Sequence, residues 1–209
     1  EMAHRYGSKI LVDGAQLVPH RPVRIYPDGD PRHLDFLAFS AHKMYAPFGI
    51  GLLIGPKWLF SQGSPSQVGG GTVKALMAQG TVWQAPPDNE EAGSPNVLGA
   101  TALAKACEII SEIGWGELVE HENQLIEYAL TCLSSIPRVI LYNSDYRNRV
   151  GVIAFNIEGF NHQKVADFLA DNYGIGVRNG CFCARRYVME LLNIGFRQLS
   201  EFPPGEVPG

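Results

Sequence analysis

The feature that most constrains the fold is a series of three short apolar runs within the first 55 residues. They cover residues 9–13, 34–40 and 49–55, and each ends at a polar residue or a glycine. Short apolar runs bounded by turn residues are typical of buried strands. We therefore predict three strands in an α/β chain, the first of them a buried parallel strand.

A helical rhythm follows these runs. Apolar residues recur at helical spacing over 96–113 and 115–133, and Gly114 and Pro137 break the two helices. Strands are predicted over 138–142, 150–157 and 174–178, and helices from the N-cap residue Asn161 to Tyr173 and over 186–193. We place a domain boundary near residue 113, giving domains over 1–113 and 114–209 joined by the helix that begins at Asn96.

Composition excludes several classes of protein. The chain of 209 residues is 45% hydrophobic and only 18% charged, which argues against intrinsic disorder. A net charge of −4 offers no basic field for nucleic acid or an anionic membrane. The longest apolar run is far shorter than the ~20 residues that cross a bilayer. We expect no nucleic-acid partner and no membrane span.

The four cysteines indicate a reducing compartment. They stand at 107, 132, 181 and 183, too few and too irregular for a disulfide framework, so a cytoplasmic location is expected. Cys107 and Cys132 occupy apolar helical positions and are predicted to be buried. The Cys181–Cys183 pair lacks a second pair to complete a four-ligand zinc site, so no metal is predicted. A redox pair stays open, although the spacing is not Cys-x-x-Cys.

Polar residues follow two of the predicted strands. Asp13 ends the first run, and Ser40, His42 and Lys43 follow the second. In open α/β sheets, ligands bind beyond the carboxyl ends of strands. An acid together with a lysine there suggests pyridoxal phosphate, which is attached to a lysine and paired with an acid at its ring nitrogen. Taken alone, an acid after a strand is usually a turn or cap residue, and a lone lysine is nearly always a solvated charge.

Five segments in order carry a resemblance to a known family. They are Asp13-Gly-Ala-Gln16, the stretch 38–51 around Ser-Ala-His-Lys43, Gly-Gly-Gly-Thr72, residues 91–96, and residues 177–184. Together they resemble the class V branch of fold-type I pyridoxal-phosphate enzymes, and within it the cysteine desulfurases and selenocysteine lyases. The likeness covers nearly the whole chain. It implies part of the three-layer large domain, with a mixed and mostly parallel sheet, over 1–113 and a smaller α+β C-terminal domain over 114–209.

The resemblance implies a role for each matching residue at the cofactor. Lys43 would carry the Schiff base and then move protons, while Asp13 would pair with the pyridine nitrogen and Gln16 with the phenolic oxygen. Ser40 and His42 would hold the phosphate. The resemblance also implies that Gly71 and Thr72 reach the phosphate of the partner subunit's cofactor, and therefore a homodimer with composite sites. His20, Asn96 and Arg178 would bind or support the substrate. His20 is equally consistent with a loop histidine.

The C-terminal match decides the predicted reaction. It aligns Cys183 with the cysteine that takes sulfur from the substrate, and the positive charge of Arg178 would favour its thiolate. A buried structural cysteine is the alternative at Cys183. The sequence departs from the family after Ala184, where Arg185-Arg-Tyr-Val replaces small residues and proline. The Gly-Cys-Phe-Cys run also resembles the sulfurase domain that acts on molybdenum cofactor.

We therefore expect a cysteine desulfurase-like lyase that converts cysteine or selenocysteine to alanine and leaves sulfur or selenium on Cys183. A sulfur-acceptor protein would be a further partner. The alternatives are another class V enzyme (an aminotransferase, an epimerase or another amino-acid lyase) and a non-catalytic fragment that only binds or dimerises. The family's phosphate loop, ring-stacking residue and carboxylate-binding arginine have no match here. We expect them outside residues 1–209, in a protein about twice as long.

Overall fold

A computed structural model describes residues 1–145 and 147–194. The chain divides into two compact units, Glu1–Glu120 and His121–Gly209. The first unit contains helices α1 (Met2–Arg5), α2 (Lys57–Phe60) and α3 (Val97–Ile113). Helix α4 (Trp115–Ser134) begins in the first unit and continues into the second. Among the described residues, no helix is both long enough and apolar enough to span a membrane.

The three predicted strands form one sheet in the first unit. Strands β1 (Leu11–Asp13), β2 (Phe36–Ser40) and β3 (Gly51–Ile54) lie in the order β1-β2-β3. β1 runs parallel to β2, and β3 runs antiparallel to it. The described sheet is therefore mixed, with one pair of each kind. β1 is not buried as predicted, since Leu11 is 59% exposed in this chain.

The core of the first unit lies between helix α3 and the segment that follows β2. A 3-10 helix (Ala41–Met44) follows β2 directly, and it buries Ala41 and Met44 together with Ala46. Helix α3 buries a stripe at spacings of three and four residues, formed by Gly99, Leu103, Ala106 and Ile110. Full burial of one such large aliphatic side chain contributes about 1.5–3 kcal/mol. This packing fixes the turn that carries Lys43.

A hairpin that the sequence did not predict follows the glycine loop. Strands β4 (Val73–Met77) and β5 (Gly80–Trp83) pair antiparallel across a two-residue connection. Large apolar side chains of β4 are exposed, among them Leu76 at 79% and Met77 at 61%. The connecting residues, Ala78 and Gln79, carry none of the usual turn signals, so the sequence pattern did not reveal the hairpin.

The second unit pairs a small sheet with helices. Strands β6 (Val139–Tyr142) and β7 (Ala154–Ile157) are antiparallel, and α5 (His162–Tyr173) packs against β7. The predicted N-cap is confirmed, because Asn161 Oδ1 accepts from the Gln163 amide at 2.9 Å. Helix α6 (Arg185–Leu191) follows the cysteine segment.

Two local predictions are wrong. Residues 174–178 form no strand, because no neighbouring strand in the described part of the chain pairs with them. Cys107 and Cys132 are exposed rather than buried. Cys107 lies on α3 and Cys132 on α4, as predicted. The buried stripes of these helices are formed by other positions, including Ala106 and Leu130.

Candidate active site and cysteine turn

The carboxyl ends of β1 and β2 lie side by side in the first unit. Asp13 is opposite Ala38 in the parallel register, and the amide of Gly14 donates to Ala38 O at 2.7 Å. A Cβ atom at Gly14 would lie 2.7 Å from Leu37 Cδ1 and 2.9 Å from Val18 Cγ2, so a larger residue would disturb this packing. The Asp-Gly sequence therefore lets the chain leave β1 close against β2.

The turn after β1 presents Asp13 and Gln16 at this sheet edge. Both side chains are exposed, and Asp13 Oδ1 accepts from the Ala15 amide at 3.0 Å, which holds the carboxylate in a fixed turn. His20 ends the turn, where its amide donates to Leu17 O at 3.0 Å and its side chain is half-buried. The structure thus brings these three predicted residues together on one connection.

The lysine turn, residues 40–44, follows β2 at the same edge. Ala41 and Met44 point into the core, while His42 is exposed and Lys43 is half-buried. The amide of Ala41 donates to Ile50 O at 2.9 Å, and the amide of Ala46 donates to Ala41 O at 3.1 Å. Lys43 therefore stands on a short helix whose inward face is fixed by packing and by backbone hydrogen bonds.

Asn96 joins the loop after Lys43 to helix α3. Its Nδ2 donates to Phe48 O at 2.5 Å, and its Oδ1 accepts from the Gly99 amide at 2.9 Å. A Cβ atom at Gly99 would lie 2.7 Å from Asn96 Nδ2, so this cap needs glycine at that position. Tyr45 and Phe48 have positive φ angles of 64° and 76°, a left-handed conformation that is costly for such residues. Asn96 is thus a positioning residue for a strained loop.

The glycine loop is held together by the buried side chain of Thr72. Thr72 is fully buried, and its hydroxyl donates to Gly69 O at 2.8 Å and accepts from the Gly69 amide at 3.2 Å. The Thr72 carbonyl accepts from the Gln84 amide at 2.9 Å, which ties the loop to the end of β5. Gly71 is exposed with φ +89°. In this chain Thr72 shapes the loop, and the glycine backbone faces outward.

The cysteine turn, residues 181–184, lies in the second unit. The amide of Ala184 donates to Cys181 O at 2.8 Å, and the two central residues, Phe182 and Cys183, have φ angles of 53° and 60°. Such left-handed angles cost on the order of 1–3 kcal/mol for each residue other than glycine. Cys183 is exposed and Cys181 is half-buried. The Arg178 guanidinium carbon lies 5.9 Å from the centre of the Phe182 ring.

An apolar cavity of about 340 Å³ lies beside the cysteine turn. Phe182 and Ala184 line it from the turn, Tyr187 and Val188 from α6, and Phe155 from β7. Sequence patterns did not reveal this cavity, because its walls come from segments far apart along the chain.

A cluster of ionisable side chains around the buried carboxylate of Asp35 supports the start of β2, and no sequence pattern revealed it. The Asp35 carboxylate lies 2.8 Å from His4 Nε2, 3.3 Å from His33 Nε2 and 2.8 Å from Lys9 Nζ, and it accepts from the Ile10 amide at 2.9 Å. Burial alone would raise the pKa of Asp35, but the hydrogen bonds from Lys9, Ile10 and His4 hold that pKa well below its usual range. The signal in the sequence was a charged residue inside the apolar run 34–40.

Comparison with known proteins identifies the family. The family model for class V aminotransferases matches residues 1–199. The chain belongs to the class V aminotransferase family. Among class V relatives, a cysteine desulfurase from Escherichia coli O8 (strain IAI1) is 43% identical over 184 residues, which are 88% of this chain and 44% of the relative. This chain spans less than half the length of that relative.

Solved structures agree with this assignment to class V. The apo cysteine desulfurase from Thermococcus onnurineus NA1 matches with a TM-score of 0.82 and 34% identity, over 93% of this chain and 47% of the other. The cysteine desulfurase CsdA (S-sulfonic acid) from Escherichia coli matches with a TM-score of 0.76 and 31% identity, over 92% and 46%. The neighbours support the fold-type I assignment made from the sequence motifs.

Proposed function

We propose that this chain is the part of a pyridoxal-phosphate cysteine desulfurase that carries the cofactor lysine, Lys43, and the sulfur-accepting cysteine, Cys183. The observation that carries the proposal is the exposed Cys183 on a left-handed turn, in a chain about 43% identical to a cysteine desulfurase. Because the chain spans under half of that relative, the activity belongs to the whole protein.

The residues at the sheet edge fit the chemistry of pyridoxal phosphate. Asp13 supplies an exposed carboxylate for the pyridine nitrogen, Gln16 an amide for the phenolic oxygen, and Lys43 an amine for attachment. Ser40 and His42 supply short donors for the phosphate. When bound, the cofactor withdraws electrons from the substrate's α-carbon. Asp13 and Lys43 reach one sheet edge because β1 and β2 are adjacent and parallel.

The chain's own residues then perform two tasks. Lys43 Nζ accepts the proton from the substrate's α-carbon and returns a proton to the product. The Cys183 thiolate attacks the sulfur of substrate cysteine, so a sulfur–sulfur bond forms and the substrate's carbon–sulfur bond breaks. The electron pair of that bond stays with the carbon side, which is protonated to give alanine. Enzyme thiol and cysteine thus become enzyme persulfide and alanine. Selenocysteine would follow the same balance.

The proposal extends to a homodimer and a sulfur acceptor. The outward glycine backbone at Gly71, held in shape by the buried Thr72, is suited to the phosphate of a cofactor in a partner subunit. Arg178 lies close to the ring of Phe182, beside Cys183, and would support the cysteine turn there. His20 and Asn96 would support the substrate side of the lysine turn. The exposed Cys183 would pass its sulfur to an acceptor protein. The four free cysteines support a reducing cytoplasm.

The test uses the full-length protein with pyridoxal phosphate. We expect visible absorbance from the attached cofactor, release of alanine when cysteine is added, and a persulfide mapped to Cys183. Cys183→Ser should keep the absorbance and lose the persulfide. Sulfur transfer from cysteine to dithiothreitol that persists in Cys183→Ser would overturn the role of Cys183. Cys107→Ser is the matched control, since Cys107 is an exposed thiol on α3.

Two other results would replace the proposal. Formation of a keto acid from an amino-acid donor, without sulfide, would indicate another class V activity. No absorbance with added cofactor, and no pyridoxyl group on Lys43 after borohydride reduction, would indicate a protein that only binds or dimerises.

A further inference from the structure

The second thiol of the cysteine turn is not used by the proposed reaction. Cys181 and Cys183 are the first and third residues of a turn closed by the hydrogen bond from the Ala184 amide to Cys181 O at 2.8 Å. In an extended strand, residues two apart have Cα atoms separated by about 6.6 Å. Disulfides span Cα separations of about 4.4–6.8 Å, so even the extended separation lies within that range. The left-handed φ angles and the closing hydrogen bond show that this segment is bent into a turn rather than extended.

We propose that Cys181 is a resolving thiol that, when no acceptor takes the sulfur, discharges it from Cys183 by forming a Cys181–Cys183 disulfide. This inference rests on the proposed function, which supplies the persulfide. Cys181 is half-buried and Cys183 is exposed, so the outer thiol meets substrate while the inner one is partly shielded. Holding both groups in one tight turn makes their reaction intramolecular, which favours it over attack by a thiol from solution.

The step balances in atoms and electrons. The Cys181 thiolate attacks Sγ of Cys183, and a new sulfur–sulfur bond forms between the two side chains. The bond from Cys183 Sγ to the outer sulfur breaks, and that sulfur leaves as hydrosulfide with the electron pair. Cys181 is oxidised, the departing sulfur is reduced, and the proton of the Cys181 thiol passes to solvent or to the leaving sulfide. A dithiol reductant then restores both thiols.

The first experiment does not depend on desulfurase activity. Full-length protein with bound cofactor is treated with diamide and then alkylated, and its peptides are mapped by mass spectrometry. We expect the wild type to lose two thiols within one chain, with Cys181 linked to Cys183. Cys181→Ser should keep a free Cys183, and the Cys107→Ser, Cys132→Ser double variant should behave as wild type. A wild-type protein without the Cys181–Cys183 link would overturn the proposal.

The second experiment follows sulfur during a single turnover with cysteine and no added reductant. We expect the wild type to release hydrosulfide and accumulate the disulfide. Cys181→Ser should retain persulfide on Cys183 at least ~10-fold longer, until dithiothreitol is added. Equal persulfide lifetimes, or a persulfide that moves to Cys181 without a disulfide, would overturn the resolving role. Absence of alanine and of persulfide in every variant would instead count against the proposed function. Cys181→Ala, checked by its cofactor absorbance, guards against misfolding of the serine variant.

Discussion

The lysine turn and the cysteine turn differ in how each is held. Residues 40–44 cover a buried core, with Ala41 fully buried and Met44 only 4% exposed. Residues 181–184 place the thiol of Cys183 in solvent, and their central residues have left-handed backbone angles. A lysine that serves one bound cofactor benefits from a fixed position. In the proposed reaction, the Cys183 thiol meets both a substrate and an acceptor, which requires an exposed position.

The largest expected loss of stability comes from a substitution in the core beneath the lysine turn. Leu103 is 6% exposed and belongs to the cluster that contains Ala41 and Met44. Leu103→Ala should lower the free energy of unfolding by about 2–5 kcal/mol, because it leaves a cavity under the turn. Urea unfolding of the full-length protein measures this loss. Leu98→Ala is the control on the same helix, since Leu98 is 71% exposed, and it should change stability by less than about 0.5 kcal/mol.

The pH dependence of stability tests the cluster around Asp35 at the start of β2. The pKa of folded Asp35 lies below its ordinary value of 3.8, so ionised Asp35 stabilises the fold above about pH 4. That stabilisation is lost as the pH falls from there through the lowered pKa, and we expect a loss of about 1–3 kcal/mol. Unfolding measured between pH 5 and pH 2 should depend less on pH in Asp35→Asn than in wild type. An identical pH dependence in the two proteins would contradict the network. Asp28→Asn removes an exposed carboxylate as the control.

A smaller loss of stability is expected at Asn96, whose two hydrogen bonds can be removed separately. Asn96→Ala removes both the helix cap and the hydrogen bond to Phe48 O, and should cost about 1–2 kcal/mol. Asn96→Asp keeps the accepting oxygen at Gly99 but loses the donor to Phe48, so it should alter cofactor absorbance at Lys43 more than stability. Asn161→Ala removes a similar cap from α5 in the other unit, and should reduce stability without changing that absorbance. Equal absorbance in all three variants would contradict the positioning role.

Features repeated along the chain could be predicted from the sequence, and single contacts between distant segments could not. The periodicity of α3 and α4 and the apolar runs of β1 to β3 gave elements within a few residues of those observed. Residues 174–178 have the composition of a strand, but a strand also needs a neighbour to pair with. The contacts of Asp35 with Lys9 and of Asn96 with Phe48 join segments 26 and 48 residues apart, and no local pattern encodes them.

In the candidate site too, features encoded in short segments could be predicted, and features that depend on the fold could not. Lys43, Asp13 and Cys183 were predicted from motifs because each belongs to a short segment whose chemistry is local. The buried hydroxyl of Thr72 shows what a motif cannot give, since only the fold reveals that the side chain bonds within its own loop. The exposure of Cys107 depends in the same way on which helix face is covered.

The smallest expected effect tests the strain in the cysteine turn. Phe182 has a left-handed φ of 53°, which glycine adopts at no steric cost and alanine does not. Phe182→Gly should therefore be more stable than Phe182→Ala by about 0.5–1 kcal/mol, although both lose the contact with Arg178. Phe168, 56% exposed within helix α5, supplies the reverse case: there glycine should be less stable than alanine by about 1 kcal/mol. Because each comparison is between two truncations at one site, the loss of the aromatic ring cancels. The same sign at both positions would mean that the cysteine turn is not strained, and the contrast with the lysine turn would then rest on exposure alone.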